Sequence, residues 1–221
     1  MSQKKWIILF VVSGCLMMAV VDGSKMDYVT KALLKITTFI SLPLIYAKWI
    51  GKTSYKTMFS FKLSNLKWAL LLGILLVGCI LILYNLAGRF FDLSALSGIL
   101  DRNFTAGSLN FLPVAFYIAV INSFLEEFFF RAFAYLTLKK SSSPRFASVF
   151  SATAFSLYHL FLMAGLFELW LYLAAVGFLV IAGLIFNALD HRSETITPSW
   201  LLHACANMGL NTIGFILLKI L

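Results

Sequence analysis

Acidic residues are scarce in this chain, with nine Asp and Glu among 221 residues against eighteen Lys and Arg. Charged residues make up 12% of the sequence and hydrophobic ones 61%, where a soluble domain runs to about a quarter charged. That shortage excludes a water-soluble globular fold and leaves apolar runs of about 20 residues, the length that crosses a bilayer. Cysteine is rare too. Cys15, Cys79 and Cys205 are odd in number and lack C-x-x-C or any ligand-like spacing, which excludes a disulfide framework and leaves them as buried apolar fillers. Neither H-E-x-x-H nor G-x-S-x-G occurs, which speaks against a zincin and against a serine hydrolase. No internal repeat or low-complexity segment is present. The net charge of +9 would raise nucleic acid as a partner in a soluble protein. Here the basic residues cluster in short loops between apolar runs, so they set topology, and the expected partner is membrane lipid rather than nucleic acid.

What is present is an all-α pattern, a polytopic bundle of seven helices in a single integral-membrane domain, 1–221. The expected spans are 6–21, 28–50, 67–87, 110–140, 146–164, 167–189 and 199–221. The first follows Lys4 and Lys5. It also resembles a leader, because Val12-Ser13-Gly14-Cys15 matches a lipobox, but Leu16 to Val21 stay apolar and an uncleaved helix is expected. Lys31 and Lys35 share a face near the start of the second span, where they are expected to snorkel to the interface. The basic loop 51–67 holds Lys52, Lys56, Lys62 and Lys67 without an acid, and its Tyr55, Phe59 and Phe61 predict a segment lying along the membrane surface. Segment 88–109 reads as amphipathic or re-entrant, and its Asn103-Phe104-Thr105 is a chance-level glycosylation match.

With the N-terminus inside, eleven basic residues fall on the inner side (Lys4, Lys5, Lys48, Lys52, Lys56, Lys62, Lys67, Lys139, Lys140, Arg145, Arg192) and four outside (Lys25, Arg89, Arg102, Lys219). A cytoplasmic N-terminus follows. The expected location is a multi-pass protein of a bacterial cell membrane.

Against this apolar background, Glu126, Glu127 and Arg131 fall within one membrane run. An ionisable residue at that depth costs roughly 2.5 kcal/mol or more and faces a partner or a site. Residues four apart share a helix face, so Glu127 and Arg131 read as an ion pair and Glu126 points elsewhere without a local partner, a candidate general base. His159 in F-S-L-Y-H, and His203 with Asn207 in H-A-C-A-N, lie on two further helices. Counted along the helices, Glu126 and His159 fall roughly 20 Å and Asn207 roughly 15 Å from the inner ends. Two chemistries fit this set: water activation with donors for an oxyanion, or a zinc held by Glu126, His159 and His203 with water in the fourth position. Residue type does not separate them. Asn122, Ser123, Asn187 and Asn211 read as interhelical glue, and His191 in the polar turn 190–198 as solvated.

E-E-x-x-x-R at Glu126, Glu127 and Arg131, F-x-x-x-H at Phe155 and His159, and H-x-x-x-N at His203 and Asn207, in that order on successive helices, resemble the three motifs of the CPBP family. These are the CAAX protease and bacteriocin-processing (Abi) intramembrane endopeptidases. The resemblance covers about 110–211 and implies that Glu126 and His159 activate the attacking water, that His203 and Asn207 hold the oxyanion, and that Glu127, Arg131 and Phe155 support them. A glutamate-type mechanism without cofactor is favoured, with a divalent metal such as zinc the other option. One departure is Ala132, where the family often has glycine. The implied substrate is a membrane-associated peptide or lipid-modified protein. The competing readings are a non-catalytic immunity or scaffold protein on the same fold and a proton-coupled carrier using Glu126 and His159.

Overall fold

A computed structural model of the chain describes residues 2–61, 63–89, 108–162 and 169–221. Segment 88–109, read above as re-entrant, and the tripeptide at Asn103 lie essentially outside the described residues. Seven long helices are found among those described: α1 (Gln3–Asp22), α2 (Tyr28–Ile45), α3 (Leu63–Ala87), α4 (108–140), α5 (Pro144–Leu162), α6 (Leu169–Ser193) and α7 (Thr197–Leu217). Among the described residues, six helices are long and apolar enough to cross a membrane. The protein is an integral, multi-pass membrane protein.

Two compact units make up the chain, Met1–Ser60 with Leu125–Ser199, and Phe61–Phe124 with Trp200–Leu221. In the first unit, α1 buries Ile7, Val11, Gly14 and Met18 along one stripe. Spacings of three and four residues place these side chains on a single face. A Cβ on Gly14 would come within 2.6 Å of the Phe129 ring, so that face lies directly on α4. Asp27 caps α2, accepting from Thr30 N at 3.0 Å and Thr30 Oγ1 at 2.6 Å, and these bonds hold its carboxyl below the ordinary carboxylate range. Further along α2, Phe39 stacks on Phe129 with ring centroids 4.3 Å apart and planes within 5°.

Loop 52–60 corrects the expectation of a surface-lying segment. Tyr55 and Met58 are buried, and Tyr55 and Phe59 both pack on Phe128, at 5.2 and 5.8 Å between centroids, while Phe61 is exposed. Burial pushes the Tyr55 phenol above its ordinary range. The physical reason is that aromatic rings bury more favourably against other rings than at a wet interface.

α4 is long enough to protrude, as expected, but it is not regular. It passes through two π segments, Tyr117–Asn122 and Phe128–Thr137. A π turn leaves backbone carbonyls off the usual ladder, and in a membrane each must find a donor. Side chains supply them: Thr137 Oγ1 donates to Ala132 O at 2.7 Å, Ser151 Oγ to Phe130 O at 2.7 Å, and Ser123 Oγ to Ala119 O at 2.6 Å. Ser123 therefore serves its own helix rather than a neighbouring one. Asn187 bridges α6 to α5, its amide donating to Ser148 O at 3.0 Å, as expected of interhelical glue.

Where α6 crosses α5, Gly183 sits so close that a Cβ would meet Ala152 Cα at 2.9 Å. Backbone cannot step aside as a flexible side chain can. Gly183→Val is expected to destabilise the protein by about 1–3 kcal/mol, read as a lower thermal melting point in detergent. An unchanged melting point would refute the close contact. Of the cysteines, Cys205 is buried and Cys15 partly so, but Cys79 is exposed on α3. That corrects its reading as a buried filler: on the apolar flank of a membrane helix, exposure means contact with lipid.

Candidate active site

Glu126 is 1% exposed, and the charged partner that α4 does not provide comes from α2: Lys35 Nζ lies 2.6 Å from Glu126 Oε1. Lys35 does not snorkel. It is buried, with its ammonium 4.9 Å above the Tyr158 ring. Lys31, one turn earlier, does reach a helix end, donating to the Asp22 carbonyl at 2.8 Å. The expectation that the two lysines behave alike fails because Lys35 falls on the buried stripe with Thr38, Phe39 and Pro43. That stripe was the available signal: Lys35 lies one turn before Phe39 in the face that packs inward.

The second oxygen of Glu126, Oε2, lies 3.6 Å from His159 Nε2. At its other nitrogen, His159 Nδ1 is 2.8 Å from Phe155 O. A carbonyl only accepts, so the ring donates from Nδ1. In the neutral imidazole, Nε2 then presents its lone pair toward Glu126. His159 is 18% exposed at its side chain, so this end of the pair is reachable while the carboxylate beneath it is shielded.

Glu127 and Arg131 form the intrahelical pair expected from their spacing, Nε to Oε2 3.2 Å, with both side chains fully buried. The guanidinium is also sandwiched, its Cζ 4.1 Å from the Phe155 ring centroid and 4.9 Å from that of Phe186. Cation–π contact of this kind compensates a desolvated arginine. Phe155 thus does two things: its carbonyl orients His159 and its ring covers Arg131. This ties the first two motifs into one piece of structure.

Asp190 belongs to the same buried region and corrects its assignment to a polar turn, because α6 continues to Ser193 and leaves Asp190 inside. It accepts from Ser199 N at 3.3 Å and Ser199 Oγ at 2.8 Å. Asp190 therefore caps the start of α7 from another helix. Ile196 N donates to Met58 O at 2.9 Å at the same point. Loss of a cap is worth about 1 kcal/mol, so Ser199→Ala is expected to lower the melting point modestly. No change in melting would show that these bonds do not hold the helix start. His191 is exposed, as expected, although its Nδ1 lies 3.0 Å from the Tyr135 hydroxyl.

His203 and Asn207 follow Ser199 at intervals of four on α7 and belong to the second unit. His203 is buried. Asn207 Nδ2 donates to Ile118 O at 3.0 Å, Asn211 Nδ2 to Ala115 O at 2.8 Å, and Trp200 Nε1 to Val120 O at 3.1 Å, all to carbonyls in or beside the first π segment. The Asn207 amide has two hydrogens, of which Ile118 takes one.

Residues 108–209 match a protein family described as Type II CAAX prenyl endopeptidase Rce1-like, which is the CPBP family. Over these residues the chain is similar to the CPBP family. No curated protein and no solved structure matches the chain. The match spans both histidine motifs and the paired glutamates, and it supports an intramembrane CAAX-type protease in general. Lys35 lies outside the matched residues. Among the described residues, no group of three or more His, Cys, Asp and Glu side chains stands where it would hold a metal ion.

Proposed function

We propose that the protein hydrolyses a peptide bond of a membrane-associated, lipid-modified peptide, with Glu126 and His159 as the water-activating pair. The observation that carries this reading is the facing of Glu126 Oε2 and His159 Nε2 at 3.6 Å, with the ring locked from behind by Phe155. A carboxylate and a neutral imidazole lone pair are both acceptors, and a water between them donates one hydrogen to each. The water oxygen adds to the substrate carbonyl carbon and one of its protons passes to Glu126. Negative charge moves from the carboxylate to the carbonyl oxygen. When the C–N bond breaks, the proton goes on to the departing amine. To His203 and Asn207, matched to the third family motif, the reading gives donation to the oxyanion. None of these steps runs through a metal.

The test is purified protein in liposomes with two C-terminal peptides of one sequence, one prenylated and one not. Cleavage of the prenylated peptide that persists with a zinc chelator present supports the reading. Cleavage lost to the chelator and restored by zinc would overturn the glutamate-type mechanism, and no cleavage of either peptide would overturn the substrate class.

A further inference from the structure

Lys35 is an unusual residue for its surroundings. A lysine in the apolar run of α2 has little reason to point inward, since four methylenes let it reach an interface and recover hydration. Burying two ions is repaid only when they pair closely, and Lys35 and Glu126 do so at 2.6 Å, with side chains 9% and 1% exposed. The two come from helices 91 residues apart, so the tertiary fold brings them together.

We propose that Lys35 is the positioning residue of the catalytic base: by holding Oε1 of Glu126, it turns Oε2 toward His159 and neutralises the carboxylate in the membrane interior. This rests on the assignment of Glu126 as base. The surrounding ring contacts agree, because Tyr158, under the ammonium at 4.9 Å, precedes His159 in sequence, and Phe39 lies 5.6 Å from the same ammonium. The anchor therefore also borders the helix turn that presents the histidine. Asp22, at the end of α1, and Arg131 also contribute to the electrostatic field at Glu126. Lys35 lies in contact distance of the Glu126 carboxylate and outside the family-matched residues, so part of the working site is supplied by the N-terminal third of the chain.

Three substitutions separate positioning from simple structure: Lys35→Met, Lys35→Gln and Lys35→Arg, each measured for kcat and KM on the prenylated peptide beside the wild type and Glu126→Gln. Misplacing a reacting group by about 1 Å can cost about a hundredfold, so Lys35→Met and Lys35→Gln are expected to lose roughly ten- to a hundredfold in kcat with KM changed less than about twofold. Lys35→Arg, which keeps the charge, is expected to recover most of that loss. A wild-type kcat in Lys35→Gln, a loss confined to KM, or an arginine variant as slow as the glutamine one overturns the proposal. If Lys35→Met does not fold, the glutamine and arginine variants decide the matter between them. An active Glu126→Gln would instead bring down the assignment of the base itself, which is a distinguishable result.

Discussion

Glu126→Gln is expected to remove cleavage by about a thousandfold or more while the protein stays folded in the membrane. General-base catalysis contributes about 10²- to 10⁴-fold. Groups that act as a unit do not leave a partial mechanism behind when one is removed, so the single substitution takes most of the rate with it. Glutamine is chosen because it is nearly isosteric. Its carbonyl oxygen still accepts from Lys35, now at Oε1, and its amide nitrogen still lies opposite His159 Nε2, so packing and polar contacts survive. What is lost is the ability to take a proton and the negative charge that pairs with Lys35, so some fall in melting temperature is expected beside the loss of turnover. His159→Ala should match it in direction, with kcat rather than KM carrying the loss. The measurement is turnover of a prenylated peptide by purified protein in liposomes, with melting temperature as the control for folding. A Glu126→Gln protein that keeps a tenth of wild-type turnover would sink the water-activation reading.

The second large effect concerns stability. Arg131→Met removes a fully buried guanidinium from beside Glu127, whose carboxylate is equally buried. Breaking a buried pair by deleting one partner costs about 3–5 kcal/mol, because the remaining charge stays desolvated. The stack between Phe155 and Phe186 is lost as well. Replacing both partners, Glu127→Gln with Arg131→Met, is expected to recover much of that loss, since two neutral groups need no compensation. Thermal unfolding of the two single variants and the double variant in one detergent gives the coupling directly. Additive destabilisation, with no recovery in the double variant, would show that the pair does not act as a unit. Because Phe155 also orients His159, the Arg131 variant should lose activity beyond what its stability predicts.

The two effects separate neighbouring carboxylates by role. Glu127 is neutralised within its own helix and holds Arg131 against two rings. Glu126, about 100° round the helix, looks toward α2 and α5. Adjacent positions on a helix cannot share a partner easily, and that divergence is why E-E-x-x-x-R supports both a structural ion pair and a reactive group.

Local spacing made several of these features legible. The Glu127 and Arg131 pair follows from an interval of four, the seven helices follow from runs of apolar residues separated by short polar turns, and the lipid environment follows from the scarcity of charge. Each depends only on neighbours along the chain. The π character of α4 was not legible, because it arises where bulky neighbours and side-chain donors make an irregular ladder acceptable. Nor was the inward fold of Tyr55 and Phe59, whose ring partner Phe128 lies about seventy residues further on. Asp190 looked like part of a solvated turn since its acceptor role for Ser199 depends on where the next helix begins.

Lys35 marks the same boundary most clearly. From the sequence alone its charge, its flexible stem and its closeness to a helix end all pointed to the membrane surface, and Glu126 looked unaccompanied. A lysine can snorkel or pair, and the difference is decided by whether a desolvated anion stands within reach on another helix. That is a through-space condition; spacing puts Lys35 on the inward stripe with Phe39 but does not name the anion it meets there. The sequence by itself determined a helical membrane protein with three chemical motifs in order; the tertiary structure decided which charge stands beside the glutamate, and with it how that glutamate is held.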